Sequence, residues 1–363
     1  TVAALCLSLL PVQVKQASAS EGVDTSAHAF TAESMFDITP QGVITSYHDL
    51  AGQGEVVVPD TIQGIKVTGI EGAFTNASMS SIVIPDAVQT FGAFAFKSCQ
   101  NLKTMYTYQT ALSNCANIQG EKANVIHIPA SLSAINPSAW ESTDSITSFS
   151  VSASNAAFRA AGNQGELLMS QDGTQLYRYA SAYHSANTYE LPSGLIDILD
   201  FACEDARDTT GFQVPNTTKT IGNYAFYGGH NINTVVFQEV SQVTTIGEAA
   251  FAKNDNLQMK LPASVTSIGK YCFAYCQNLD GTNVLSNSSI TSIPAYAFIG
   301  SPNIHVINVP ATVTVLDAYA FSGCTNLNNI YFAGTLTKIG TAAFENCNNL
   351  HAINVPAGVT AIE

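Results

Sequence analysis

A segment that recurs about every 23 residues constrains the fold of this chain more than any other feature. It reads AYAFSGCTNLNNIYF at 318–332, TAAFENCNNLHAINV at 341–355 and KYCFAYCQNLDGTNV at 270–284. Each copy has a Phe three residues before a Cys and six residues before a Leu. A unit this short cannot bury its own apolar face, so neighbouring units must stack and share one continuous core.

The pattern within one unit predicts three short segments. In LNNIYF and LHAINV, inward-facing and outward-facing residues alternate, which is typical of strands. VTVLD and LTKIG form a second, shorter extended segment, and AYAFSGC between them is a brief helical or 3₁₀ turn. A period near 23 lies in the range of leucine-rich repeats. We therefore predict a β-rich repeat solenoid with coils of about 23 residues and a ladder of parallel strands.

The spacing of the Phe position is not uniform. Successive intervals are 22, 44, 63, 23, 25, 22, 25, 23 and 23 residues. The interval of 44 predicts two units of 22, with a degenerate coil that has Ile118 at the Phe position, and the interval of 63 predicts one unit of 23 with an insertion of 40. The residues at this position are Phe74, Phe96, Trp140, Cys203, Phe226, Phe251, Phe273, Phe298, Phe321 and Phe344.

Two further positions repeat in the same register. Cys residues occupy a position where other coils have Ala, Gly or Ser, which predicts small, buried, free thiols. Cys324 and Cys347 lie in adjacent coils, so a disulfide between them is geometrically conceivable. Asn tolerates left-handed backbone and bonds nearby main-chain groups, so the Asn row predicts a structural ladder, with a sugar-binding row as the alternative. The row comprises Asn101, Asn231, Asn256, Asn278, Asn303, Asn326 and Asn349.

These residues resemble the BspA-like leucine-rich repeat family of bacterial surface proteins. The segment LPASVTSIGKYCFAYCQNL at 261–279 matches the family pattern almost position for position. Residues 42–74 look like the opening segment of the family, and residues 165–195 look like its inserted hairpin. The resemblance covers roughly residues 36–363. Two coils are degenerate, and one of them has Cys203 at the Phe position and Thr209 at the Leu position.

We predict three regions along the chain. They are a partial secretory signal peptide at 1–19, a linker at 20–35, and the solenoid at 36–363 with an inserted hairpin at about 152–190. The signal prediction depends on an apolar run, Val2–Leu10, that is too short to span a bilayer, and on ASA at 17–19 as the cleavage site. A buried N-terminal strand is the alternative. The sequence stops within a repeat, so we expect further chain beyond Glu363.

Composition and motifs narrow the class of function. The formal net charge is −14 and no basic run is present, which disfavours nucleic acid and anionic membrane surfaces as partners. Catalytic and cofactor-binding fingerprints are not found in the sequence, so we expect neither an enzyme nor a cofactor. Glu204, Asp205 and Asp208 form an acidic cluster, which is a solvated turn or, alternatively, a weak Ca²⁺ site.

The remaining candidates are surface residues of two kinds. In each main strand the residue between two inward apolar positions must face outward, and Tyr is well suited to anchoring a partner there. These outward candidates are Tyr106, His127, Gln213, Lys260, Asn308, Tyr331 and Asn354. The inserted hairpin, with Asp172-Gly173 as a turn signal, adds Tyr177, Arg178, Tyr179 and Tyr183. The alternatives are that the first set only lines a sheet and that the second set covers the core.

The resemblance implies a secreted or surface-displayed binding protein, adhesin-like, that attaches to host proteins or other cells through the solenoid face. The expected partner is a protein or a glycan, with no nucleic acid and no insertion into a membrane, and the chain is expected to be a monomer. The alternative is that this chain is the non-catalytic targeting or spacer region of a larger secreted enzyme.

Overall fold

The computed structural model describes residues 30–49, 54–108, 125–185 and 187–363. The chain divides into two compact units, Thr1–Gln171 (unit 1) and Asp172–Glu363 (unit 2). Short strands dominate both units, and two 3₁₀ helices, Glu33–Met35 and Pro137–Trp140, lie in unit 1. In the second helix Pro137 stands at the first position, where its missing N–H costs nothing, and the Asn136 side chain accepts from the Ser138 N–H at 3.0 Å.

Besides a two-stranded antiparallel sheet, β4-β5, unit 1 contains two five-stranded sheets along its coils. One has the strand order β1-β2-β6-β8-β11 and the other β12-β10-β9-β7-β3, and their pairing is parallel except between β1 and β2. The strands are β1 (Phe36–Ile38), β2 (Val43–Tyr47), β3 (Glu55–Val57), β4 (Thr61–Ile62), β5 (Ile65–Lys66), β6 (Gly69–Ile70), β7 (Ser81–Ile84), β8 (Thr90–Phe91), β9 (Thr104–Thr107), β10 (Val125–Ile128), β11 (Ala134–Ile135), β12 (Ser148–Val151), β13 (Phe158–Ala161) and β14 (Leu167–Ser170).

The prediction of a separate coil around Ile118 is wrong. Strand β8 pairs directly with β11, and β9 pairs directly with β10, so the coils on either side of the predicted one are neighbours. The rings of Phe96 and Trp140 are stacked with their centroids 6.3 Å apart. The interval of 44 residues is therefore one coil with an insertion, and Ile118 itself lies outside the described residues.

Unit 2 repeats the same two ladders. Its sheets follow the orders β15-β17-β19-β21-β23, β16-β18-β20-β22, β24-β26-β28-β29 and β25-β27, with parallel pairing throughout. The strands are β15 (Gln175–Tyr179), β16 (Tyr189–Glu190), β17 (Asp197–Ile198), β18 (Gly211–Val214), β19 (Thr220–Ile221), β20 (Thr234–Phe237), β21 (Thr245–Ile246), β22 (Gln258–Met259), β23 (Ser267–Ile268), β24 (Ser292–Ile293), β25 (Val306–Val309), β26 (Val315–Leu316), β27 (Asn329–Phe332), β28 (Lys338–Ile339) and β29 (Ala361–Ile362).

Two kinds of strand alternate along the chain. The main strands follow the recurring Leu position and have up to four residues, as in β7, β18, β25 and β27, whereas most strands of the other ladder have two residues, as in β19 and β26. A Pro directly follows several main strands, and because Pro has no N–H it ends the ladder there. These residues are Pro85, Pro129, Pro215 and Pro310. The predicted solenoid of parallel strands with coils of about 23 residues is confirmed.

The segment between the short and main strands is a turn in most coils. In the coil of Phe321 two residues have left-handed backbone, Tyr319 with φ 58° and Gly323 with φ 75°. The Phe between them points into the core and stacks on the Phe of the next coil. Ring centroids are 5.2 Å apart for Phe298 and Phe321, and 5.7 Å apart for Phe321 and Phe344. Offset stacking of this kind adds to the gain from burial.

In seven coils the residue three positions after the Phe or Trp donates a side-chain hydrogen bond to the Phe carbonyl of the preceding coil. Cys Sγ atoms do this at 2.9 Å for Cys99 to Phe74, 3.2 Å for Cys276 to Phe251, 3.2 Å for Cys324 to Phe298 and 3.1 Å for Cys347 to Phe321. Thr143, Asn254 and Ser301 make the same bond with their own side chains. The position therefore favours a small side chain, usually one with a donor, although Ala77, Ala206 and Gly229 occupy it in three other coils.

The six cysteines of the described residues are all free and buried, as the sequence predicted. Cys324 and Cys347 are among them, so the conceivable disulfide is not formed in the structure. Burial raises the pKa of the Cys99 and Cys276 thiols to about 12 and that of Cys347 to about 11. Thiols with such raised pKa values stay protonated at neutral pH and are poor nucleophiles.

The predicted Asn ladder is present as a chain of side-chain hydrogen bonds in unit 2. Asn278 donates to Asn256 at 3.1 Å, Asn303 to Asn278 at 3.0 Å, Asn326 to Asn303 at 3.2 Å and Asn349 to Asn326 at 3.3 Å. Each amide joins two coils at the turn into the main strand. Because five of the seven side chains bond one another, and Asn101 and Asn231 donate to the Ser78 and Arg207 carbonyls, the structural interpretation accounts for the row.

The inserted segment has strands in both units. In unit 1, β13 pairs antiparallel with β14, and Phe158 lies opposite Ser170. In unit 2, the Asp172 carboxylate accepts hydrogen bonds from the Thr174 N–H at 3.0 Å and from its hydroxyl at 2.8 Å. Among the described residues, no helix has the length and apolar character needed to cross a bilayer.

Candidate binding face and groove

The main strands of unit 1 present a small aromatic surface. The rings of Tyr106 and His127 are stacked with centroids 5.3 Å apart, and both side chains are half-buried. Tyr106 also packs against a buried cluster of Val57, Val83 and Tyr108. Burial lowers the pKa of His127, so the ring is held in its neutral form.

The main strands of unit 2 bring the other predicted residues into two groups. Gln213 lies beside Val236 across β18 and β20, and Lys260 follows β22 in the next coil. Asn308 lies beside Tyr331 across β25 and β27. Tyr331 is 58% exposed, whereas the Asn308 amide donates to the Thr282 carbonyl at 3.0 Å. Asn354 is exposed but lies outside any strand.

Arg178 and Tyr179 are not surface residues, and the prediction that they contact a ligand is wrong. Both side chains are fully buried. One guanidinium nitrogen of Arg178 donates to the Phe201 carbonyl at 2.6 Å and lies 3.4 Å from the Glu204 carboxylate. The Tyr179 and Thr209 hydroxyls are hydrogen-bonded at 2.7 Å.

These contacts explain the degenerate coil. Cys203 replaces a large Phe at its position and lies near Arg178, which lowers the thiol pKa while burial raises it more strongly. Thr209 replaces an apolar Leu and supplies the hydroxyl that Tyr179 needs. The two departures from the repeat pattern therefore match two polar side chains that the inserted segment brings into the core.

Tyr177 and Tyr183 remain half-buried at the surface of the same region. Burial and the nearby Asp172 raise the pKa of Tyr177. The Tyr183 ring lies edge-on to Tyr179, with centroids 6.0 Å apart. Glu204 belongs to the buried ion pair, and no group of His, Cys, Asp or Glu in the described part of the chain could hold a metal ion.

The strand face of unit 2 contains a groove that the sequence did not predict. Its volume is about 640 Å³. Residues 258–264 form one part of its lining, residues 234–241 form another, and Asp280, Asn283 and Asn287 complete it. Among its lining residues Val236 is 48% exposed and Val240 is 88% exposed. Lys260 is the only residue of the sequence prediction that lies in the groove.

The lengths of three successive coils account for the groove. The interval from Phe251 to Phe273 is 22 residues, and the intervals on both sides of it are 25 residues. The extra residues extend the turn at 238–241 in one long coil and replace the main strand with turns at 280–287 in the other. A short coil between two long ones is therefore recessed. These unequal intervals were visible in the sequence and could have predicted the groove.

Fixed hydrogen bonds hold the turn at one side of the groove. The Asp280 carboxylate accepts from the Thr282 N–H at 2.8 Å, the Thr282 hydroxyl at 2.6 Å and the Asn283 amide at 2.6 Å. Burial acts to raise the pKa of Asp280, but these hydrogen bonds outweigh it and the pKa is lowered. The carboxylate is therefore ionised at neutral pH and committed to the turn.

The BspA-type leucine-rich repeat region matches this sequence at residues 68–161, 174–280 and 258–363, in six copies. The chain therefore belongs to the BspA-type leucine-rich repeat family.

Solved structures agree with this assignment at the level of the fold. A leucine-rich repeat protein from Eubacterium ventriosum is similar with a TM-score of 0.57 and 20% identity, over 90% of this chain and 90% of that one. The pneumococcal vaccine antigen PcpA is similar with a TM-score of 0.55 and 18% identity, over 82% of each chain. No curated protein matches the sequence.

Proposed function

We propose that this chain is an extracellular, non-catalytic binding protein that recognises a protein partner through the main-strand face of unit 2. The observation that carries the proposal is the groove, which combines a recessed floor with exposed apolar residues, Val236 and Val240. Binding energy concentrates where a partner side chain fills such a recess and water is excluded.

The composition of the surrounding face supports the proposal. The outward positions Gln213, Lys260, Asn308 and Tyr331 are mixed in chemistry and carry one charge, which is typical of an extended recognition surface rather than of an electrostatic one. An adhesin-like role on a bacterial surface is the finer form of the proposal. It draws on the family, on the apolar segment at residues 2–10 and on the acidic net charge of −14.

The test is binding of the full chain to an array of intact extracellular matrix proteins and glycans, beside the double variant Val236→Ser, Val240→Ser. Both side chains are substantially exposed, so the variant is expected to fold. Lys270→Glu serves as a control, because Lys270 is exposed in the next coil and lies outside the groove lining.

We expect a protein on the array to bind the unmodified chain and the control, and to lose at least about tenfold in affinity for the double variant. Binding that the double variant retains but a Tyr331→Ala variant loses would move the site along the strand face to β27. If the folded chain bound no protein or glycan on the array, that result would contradict the proposed function and favour a spacer role.

A further inference from the structure

We propose that the groove binds an extended segment of a partner protein, which pairs with the open edge of β22 and places a carboxylate against Lys260. This inference rests on the proposed function and names the kind of partner. Three features of the groove lead to it: an unpaired strand edge, a displaced neighbouring segment, and one cation beside two exposed valines.

Strand β22 is the last strand of its sheet, which has the order β16-β18-β20-β22. The Gln258 N–H donates to the Asn233 carbonyl at 2.8 Å, on the side of β20. Successive residues of a strand direct their backbone groups to opposite sides, so the N–H and carbonyl of Met259 face away from β20. The Leu261 N–H faces the same way and donates to the Val284 carbonyl at 3.0 Å, which marks the end of the open edge.

The segment that would supply the next main strand lies closer to β25 instead. The Asn308 amide holds the Thr282 carbonyl at 3.0 Å. A Cβ atom added to Gly281 would lie 2.3 Å from the Val306 carbonyl oxygen, so the backbone at Gly281 approaches β25 very closely. The space beside β22 is the groove of about 640 Å³. Adding a strand to such an edge is a recurrent way of binding peptides.

The side chains around this edge select the partner. Lys260 faces outward from the groove floor, and it makes no ion pair with any of the residues that the structure describes. Glu239 and Asp280 also line the groove, but opposite charges on neighbouring strands attract, so the position directly beside Lys260 favours a partner carboxylate. Val236 and Val240 offer apolar contact on the side of β20. The expected segment alternates, with an acidic residue between apolar ones.

The test uses the full chain and a phage-displayed library of random linear peptides of about 12 residues. Enriched peptides are synthesised, and their affinities are measured for the unmodified chain, for Lys260→Glu and for the matched control Lys270→Glu. We expect an acidic residue flanked by apolar residues, a loss of about tenfold or more in Lys260→Glu, and a change below about twofold in the control.

Two further peptides make the test specific. A peptide with Lys in place of its acidic residue should bind Lys260→Glu better than the unmodified chain. N-methylation of single backbone amides should abolish binding at alternate positions, because a paired strand uses every second N–H toward its neighbour. The inference would be overturned by a library without enriched peptides, by equal effects of the two Lys variants, or by tolerance of N-methylation at every position. Binding of the full chain to intact proteins on the array would leave the proposed function in place.

Discussion

At the scale of single residues, the position three residues after the Phe shows how the repeat encodes its core. The side chain there is small, because it lies between coils, and in seven coils it donates to a buried carbonyl. Cys, Ser, Thr and Asn satisfy both needs, and each is found at this position. The sequence predicted small buried thiols there, but the hydrogen bond depends on the carbonyl of another coil and could not be predicted from the position itself.

Removing the donor at this position should destabilise the protein. We expect Cys324→Ala to lower the free energy of unfolding by about 0.5–1.5 kcal/mol, because the Phe298 carbonyl loses its Sγ partner but still accepts from the Ser301 N–H at 3.2 Å. Cys324→Ser keeps a donor and should cost less. Urea denaturation of the three proteins measures the difference, and equal losses for Ala and Ser would show that the hydrogen bond contributes nothing.

The buried ion pair of Arg178 and Glu204 provides a second residue-scale prediction. Arg178→Met should lower the free energy of unfolding by about 3–5 kcal/mol, because the Glu204 carboxylate would be left buried without its cation. The double variant Arg178→Met, Glu204→Leu should recover much of this loss. Chemical denaturation of the two single variants and the double variant measures the coupling, and strictly additive losses would contradict the prediction.

His127 should make stability depend on pH. Burial lowers its pKa in the folded state, so as the pH falls below about 6.5 the unfolded chain binds the proton first. Stability contributed by the neutral ring is complete above that pH and is lost as the pH falls toward the folded-state pKa. His127→Gln should remove this part of the pH dependence. An NMR titration that places the His127 pKa at or above 6.5 would contradict the prediction.

At the scale of the repeated element, each coil depends on its neighbours for burial. The Phe rings form a stacked column, with centroids 5.7 Å apart for Phe251 and Phe273 and 5.3 Å apart for Phe273 and Phe298. The periodic positions predicted this column well, because a ladder repeats one local solution. The departures from the repeat pattern were harder to predict. Arg178 lies near Cys203, and the period of the repeat does not indicate that these two residues are close.

Loss of one ring from the middle of the column should weaken the coils on both sides. Phe273→Ala should cost about 3–5 kcal/mol and increase amide hydrogen exchange in the coils of Phe251 and Phe298, since repeat stability depends on nearest neighbours. Phe344→Ala is the matched control, because Phe344 is half-buried and should cost less. Equal losses for the two variants would contradict the nearest-neighbour account.

At the scale of the whole chain, the repeat predicted the fold, whereas the candidate site depends on irregularities in that repeat. The period, the strand segments and the family resemblance followed from local patterns that recur in many coils. The groove follows from a 22-residue interval between two intervals of 25 residues, and from a turn at 280–287 in place of a strand. Reading the outward positions one at a time found Lys260 but not the recess that contains it.

Photo-cross-linking can show whether this recess is the contact site. A photoactivatable phenylalanine is placed in the full chain at position 240, in the groove, or at position 266, exposed outside its lining. Each protein is then irradiated on the array of matrix proteins. If the recess is the contact site, position 240 gives a covalent adduct and position 266 gives none. Adducts from position 266 alone, with binding otherwise intact, would show that the partner contacts another surface.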